Sequence, residues 1–160
     1  MNSVNLSSWA RLGIRGIQLE RWLESVDYIA PDTVNTVRAQ QDGSLIARLS
    51  PGELLWLTGD SETPEPHCDI QQDYRCYIVA RRDSHCWFQL QGEDVADFMA
   101  TVCGVNLDPT VFEPLQVAQT QVARISAIVI RHPGQEYRLS ILTDQSYTGY
   151  LAEVLTENVG

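Results

Sequence analysis

Five side chains able to hold a soft or borderline metal ion fall close together in this sequence: His67, Cys68, Cys76, His85 and Cys86. Zinc takes four such ligands in a tetrahedron, usually from closely spaced pairs. No CxxC or HxxxH pair occurs, and the spacings are irregular. In a strand, neighbours such as His85 and Cys86 point to opposite faces. The pattern predicts no metal site. With Cys103, the thiols read as small buried hydrophobes. A cysteine nucleophile needs a histidine base and a group that orients it, and the sequence sets no such trio together. His132 is followed by proline and reads as a turn residue rather than a base. No GxGxxG, P-loop or GxSxG motif occurs. The segment GVNLDP at 104–109 has a single glycine and forms no phosphate cradle. No residue is therefore assigned a catalytic, metal-ligating or cofactor-binding role.

Bulk properties narrow the field further. At 160 residues the chain makes one domain or one internally duplicated unit. A chain of this size buries roughly two-thirds of its unfolded surface, enough for a core of its own. Net charge is −10, from 21 acidic and 11 basic residues. All the basic residues are arginine, and only Arg81 and Arg82 are adjacent. Nucleic acid is thus not an expected partner, because phosphate binding needs clustered cations. The four cysteines permit two disulfides. The first sixteen residues, however, lack the apolar stretch of a signal peptide, so reduced thiols and a cytoplasmic setting are expected. The longest apolar run, 125–130, is too short to cross a bilayer, and no membrane partner is expected.

The elements that must carry these residues read as follows. Residues 9–16 form a strand ending at Gly16. A helix over 17–26 turns Ile17, Trp22, Leu23 and Val26 inward. Ala30-Pro31 closes that element, and 34–40 is extended. Asp42-Gly43 marks a hairpin turn into a strand at 45–49, and Pro51-Gly52 leads to a buried strand at 53–57. Residues 59–73 are acidic and proline-bearing, and read as a linker or surface loop. Residues 74–82 fit either a strand or a short helix. A strand at 84–91 ends at Gly92, and a helix over 93–103 buries Val95, Phe98, Met99 and Val102. Extended runs follow at 116–122, 125–131 and 136–142, and a last helix at 145–157 packs Tyr147, Tyr150, Leu151, Val154 and Leu155. Trp9, Trp22, Trp56 and Trp87 are expected in the core, with one or two at a subunit contact as the functional alternative.

The two halves repeat one order: strand, glycine, helix, proline, strands, Pro-Gly turn, strand. The expectation is an α+β chain, with helices on one face of mostly antiparallel sheet. It forms a single domain of two pseudo-repeated strand-helix-strand-strand halves, about 9–58 and 84–157, joined by the acidic loop 59–73. Gly16 and Gly92 suit the sharp turn from strand into helix.

The repeated pattern resembles a known family. RLGIRG at 11–16, then Trp22-Leu23, Pro31, Asn35 and LSPGELLWL at 49–57, resemble the first half of sarcosine oxidase gamma subunits. DSHCWFQLQGEDVADFM at 83–99, CGVNLDP at 103–109 and VFEPL at 111–115 resemble the second half. The likeness runs over about residues 10–156 and extends, more distantly, to the folate-binding domain of the glycine-cleavage T-protein, an aminomethyltransferase. It implies a non-catalytic accessory chain in a heterotetrameric flavoenzyme of one-carbon metabolism. In that family the beta-type subunit carries flavin, and the alpha-type subunit carries NAD and a folate site. The gamma-type chain carries no cofactor. The alternative that the likeness leaves open is a stand-alone folate-binding domain that takes tetrahydrofolate. Two departures matter. T-proteins carry a glycine-rich segment ending in acids, one of them a catalytic aspartate; the matching residues here, 122–132, contain no acid. Iron–sulfur-assembly relatives carry a KGCxxGQE-like motif, and this chain has no lysine.

Overall fold

The computed structural model describes residues 1–66 and 74–157. It divides into two compact units, Ser8–Asp83 and Met1–Ser7 with Ser84–Gly160. The architecture is α+β, and each unit is built on a five-stranded antiparallel sheet.

In the first unit the strands are β2 (Arg11–Gly16), β3 (Val37–Ala39), β4 (Leu45–Ser50), β5 (Glu53–Leu57) and β6 (Cys76–Val79), in the order β3-β4-β5-β2-β6. In the second they are β1 (Asn2–Asn5), β7 (His85–Gln91), β8 (Val117–Val122), β9 (Ile125–Arg131) and β10 (Arg138–Asp144), in the order β8-β9-β10-β7-β1. The orders correspond strand for strand. The fifth strand of each sheet comes from the chain segment that leads into the other unit's first strand. β1, which precedes β2, pairs with β7, and β6, which precedes β7, pairs with β2.

One helix follows the first long strand of each unit. Helix α1 (Leu19–Ser25) buries Leu19, Trp22 and Leu23, and α3 (Val95–Val102) buries Val95, Phe98 and Met99. Each is an i, i+3, i+4 stripe, and each begins three residues after its glycine. Those glycines have φ +151° (Gly16) and +133° (Gly92), values that side chains with a Cβ rarely adopt. The α1 stripe packs on Leu12, Ile14, Ile46, Leu54 and Trp56. The α3 stripe and α4 (Thr148–Glu157), through Leu151 and Leu155, pack on Phe88, Leu90, Val129 and Ile141. Burying a side chain of this size contributes about 1.5–3 kcal/mol.

Several expectations are corrected. Ile17 lies before the helix, in the turn forced by Gly16, and is 73% exposed; Leu19 fills the core position instead. Tyr147 and Tyr150 are 43% and 45% exposed, because Tyr147 belongs to a 3-10 turn (Gln145–Tyr147) and Tyr150 points off the Leu151–Leu155 stripe to donate to Ala123 O. Val26 and Val102 do turn inward as expected: half-buried at the helix ends, they pack against the two cores. Residues 76–84 contain both β6 and a short helix, α2 (Arg81–Ser84). Residues 67–73 of the expected acidic loop lie outside the described residues.

Candidate functional site

Two buried arginines occupy corresponding places. Arg48 on β4 donates from Nε to Pro31 O at 2.8 Å and from Nη1 to Pro51 O at 2.8 Å, and bonds Glu20 through Nη2. Arg131 on β9 donates from Nη1 to Pro109 O at 2.8 Å and to Phe112 O, and its guanidinium lies 4.8 Å from the centre of the Tyr137 ring. Their own carbonyls accept from the N–H of Asn35 (2.8 Å) and Leu115 (3.0 Å), which both have positive φ. Burying a cation is costly unless it is hydrogen-bonded; Arg131 Nε is buried without a partner among the described residues, but through its other donors each arginine ties a proline-containing loop to the sheet. The Tyr137 hydroxyl donates to Leu107 O, and burial pushes its pKa up to about 12.

His132 follows β9 and meets β10. Its Nε2 lies 2.7 Å from Ser140 Oγ, and Trp87 Nε1 donates to the same oxygen at 2.8 Å. The indole N–H only donates, so the Ser140 hydroxyl accepts from it and can direct its proton at His132 Nε2. That arrangement requires a neutral imidazole. Burial, followed by the nearby Arg138 guanidinium, lowers the His132 pKa to about 4. The pairing has the atoms of a serine nucleophile and its base. Yet Ser140 is fully buried, and its oxygen already accepts from Trp87. It links two strands and gives no substrate access to the oxygen.

The sulfur candidates do not converge. Cys76 lies on β6 in the first unit, with Sγ donating to Tyr74 O at 3.2 Å, and burial raises its pKa. Cys86 lies inside the second unit's core on β7, and His85 beside it points to the other face, 2.8 Å from Ser84 Oγ through Nδ1. Cys103 is buried at the end of α3. His67 and Cys68 lie outside the described residues. Among the described residues, Cys76, Cys86 and Cys103 are free thiols, and no three His, Cys, Asp or Glu side chains gather as a metal site. Trp22, Trp56 and Trp87 are buried and Trp9 half-buried, so the exposed aromatics are tyrosines: Tyr77, Tyr147 and Tyr150. Residues 122–132 run from the end of β8 through its turn and β9 to His132. The two turn residues, Ala123 and Arg124, have φ +49° and +70°. No helix among the described residues is long and apolar enough to cross a membrane.

Neither a family model nor a curated protein matches the chain. Solved structures do. A chain of the heterotetrameric sarcosine oxidase from Corynebacterium sp. U-96, in complex with pyrrole 2-carboxylate, superposes with a TM-score of 0.75 at 19% identity, covering 99% of this chain and 85% of that one. The glycine cleavage system aminomethyltransferase T from Bartonella henselae superposes with a TM-score of 0.68 at 14% identity, covering 98% of this chain. This chain spans 45% of that aminomethyltransferase. The chain therefore has the fold found in both proteins.

Proposed function

We propose that the chain is a non-catalytic, gamma-type accessory subunit of a heterotetrameric flavoenzyme complex similar to sarcosine oxidase. The observation that carries the reading is the superposition on one sarcosine oxidase chain over 99% of this chain and 85% of that one. Two features of the residues support it. The segment that bears the catalytic acid in T-proteins is acid-free here, so the electrostatic part of transfer chemistry has no carrier. The Ser140–His132 pair is spent on the link to Trp87. In this reading flavin and NAD reside on beta- and alpha-type partners, and the complex works in one-carbon metabolism in the cytoplasm.

Co-expression of the tagged chain with alpha- and beta-type subunits tests the proposal. Capture of both, with amine oxidation dependent on the flavin-bearing partner, is the expected result. A chain that stays alone beside them sinks it. A chain that binds tetrahydrofolate by itself in titration calorimetry would point instead to a stand-alone folate-binding domain.

A further inference from the structure

β6 is the outer strand of the first unit's sheet. Ile17 N donates to Arg75 O at 3.3 Å, which fixes the phase of the antiparallel ladder with β2. Backbone groups alternate sides along such a strand. Tyr77 and Val79 therefore turn theirs toward β2, and Cys76 and Ile78 turn theirs away. No strand among the described residues lies on that outer side. Unpaired edge groups of this kind are a template for another chain, and proteins usually blunt them with proline or charge on the strand itself. β6 has neither, and presents Tyr77 at 57% and Ile78 at 41% exposure.

The two faces of the edge differ. Ile78 lies opposite Ile14, on the core face, and borders a hollow of about 520 Å³ lined by Ala10, Leu12 and Pro64 and also by Glu62, Glu65 and Arg82. Tyr77 lies opposite Arg15, on the other face. There Arg15 and Arg81 converge on one carboxylate, Glu53. Two cations sharing one anion leave surplus positive charge, and exposed Arg75 adds to it.

We propose that β6 is a docking edge for an extended segment of a partner protein whose side chains alternate acidic and apolar. Its backbone pairs with Cys76 and Ile78. Its acidic side chains lie on the Tyr77 face among the arginines and away from Glu62 and Glu65, and its apolar side chains pack on Ile78 at the rim of the hollow. Main-chain bonds supply the affinity and alternate side chains the specificity in this mode of recognition. A second copy of the chain fits less well, because antiparallel self-pairing sets the same cationic face against itself. The inference does not depend on which complex the chain joins.

The test uses the whole chain and fluorescein-labelled peptides read by anisotropy, one alternating valine with glutamate and one alternating valine with lysine. The glutamate peptide should bind saturably and weaken with salt, and the lysine peptide should bind about tenfold more weakly. Ile78→Pro removes an outward donor and no bond to β2, and should weaken the glutamate peptide about five- to tenfold. Ile78→Val should leave it within about twofold, and Arg75→Glu should weaken it about fivefold. If Ile78→Pro does not fold, Arg75→Glu and the peptide pair decide. Equal binding of both peptides, no binding of the glutamate peptide, or indifference to Arg75→Glu overturns the proposal. So does a dimer in ultracentrifugation that Ile78→Pro dissociates. Failure here leaves the capture of alpha- and beta-type subunits untouched, so the two ideas fall separately.

Discussion

Replacing Gly16 by alanine should damage the fold far more than the same change at Gly92, although the two glycines hold equivalent places. Both have positive φ, and forcing a Cβ into such a conformation costs roughly 1–3 kcal/mol. The surroundings then separate them. A Cβ on Gly16 would stand 2.3 Å from Arg75 O and 2.6 Å from Cys76 Cα, both backbone atoms of the strand paired with it. It would meet Cys76 Sγ at 2.9 Å as well. Relief requires β6 to move away, which strains the Ile17 N to Arg75 O bond and exposes the Cys76 packing. Each lost backbone bond costs about 1 kcal/mol more, so Gly16→Ala should lose roughly 3–5 kcal/mol in all. A Cβ on Gly92 would meet Asp94 Oδ1 at 3.0 Å and Met1 Cα at 3.4 Å. The Asp94 carboxylate is exposed, and shifting it disturbs only its surface ion pair with the Met1 amino group, which leaves mainly the dihedral cost of roughly 1–3 kcal/mol. Urea unfolding followed by tryptophan fluorescence reads the difference. With a slope of about 1–3 kcal/mol per molar urea, the Gly16→Ala midpoint should fall about 1 M below that of Gly92→Ala. Equal midpoints, or a more stable Gly16→Ala, would refute the reasoning that close approach of β6 demands this glycine.

Other outcomes follow from the buried network. Arg48→Met leaves the Pro31 and Pro51 carbonyls without their donor and should cost roughly 2–4 kcal/mol in urea unfolding. Glu20→Gln should cost under about 1 kcal/mol, because Glu20 is 57% exposed. His132 has a folded pKa of about 4 against an ordinary 6.5. Below 6.5 the unfolded chain takes the proton first, so stability that is complete above pH 6.5 declines toward pH 4, by up to roughly 3 kcal/mol. His132→Gln should flatten that decline in thermal unfolding measured across the same range. Changing Ala123-Arg124 to Asn-Gly suits the two positive φ values of the β8–β9 turn and should raise stability by about 1 kcal/mol in urea unfolding.

What the sequence revealed, and what it hid, follows from the range of the forces involved. The stripes at Trp22-Leu23 and Phe98-Met99 were legible because helical spacing is local. So were Gly16 and Gly92, because φ values of +151° and +133° lie beyond the left-handed region that other residues can enter and so call for glycine. Ile17 was misassigned because the helix starts later than its apolar pattern suggests. β1 went unread: NSVN has little strand propensity, and it forms by pairing with β7, a partner far along the chain. The β8–β9 turn carries no turn signal either. Ala123 and Arg124 are held in positive φ by long-range bonds, from Ala123 N to Val102 O at 2.7 Å and from the Tyr150 hydroxyl to Ala123 O at 3.0 Å. The chemistry divides in the same way. The separation of Cys76 from Cys86, in different units, follows from pairings distant in sequence. The arginine anchors and the Trp87–Ser140–His132 link join residues distant in sequence, and no short motif announces them.

Native mass spectrometry of the chain co-expressed with alpha- and beta-type subunits tests the central claim most directly. The expected result is an assembly that contains this 18.0 kDa chain, which on dissociation leaves at its bare polypeptide mass while flavin and NAD stay with the partners. A chain that never enters the assembly, or that leaves it carrying either cofactor, would contradict the account.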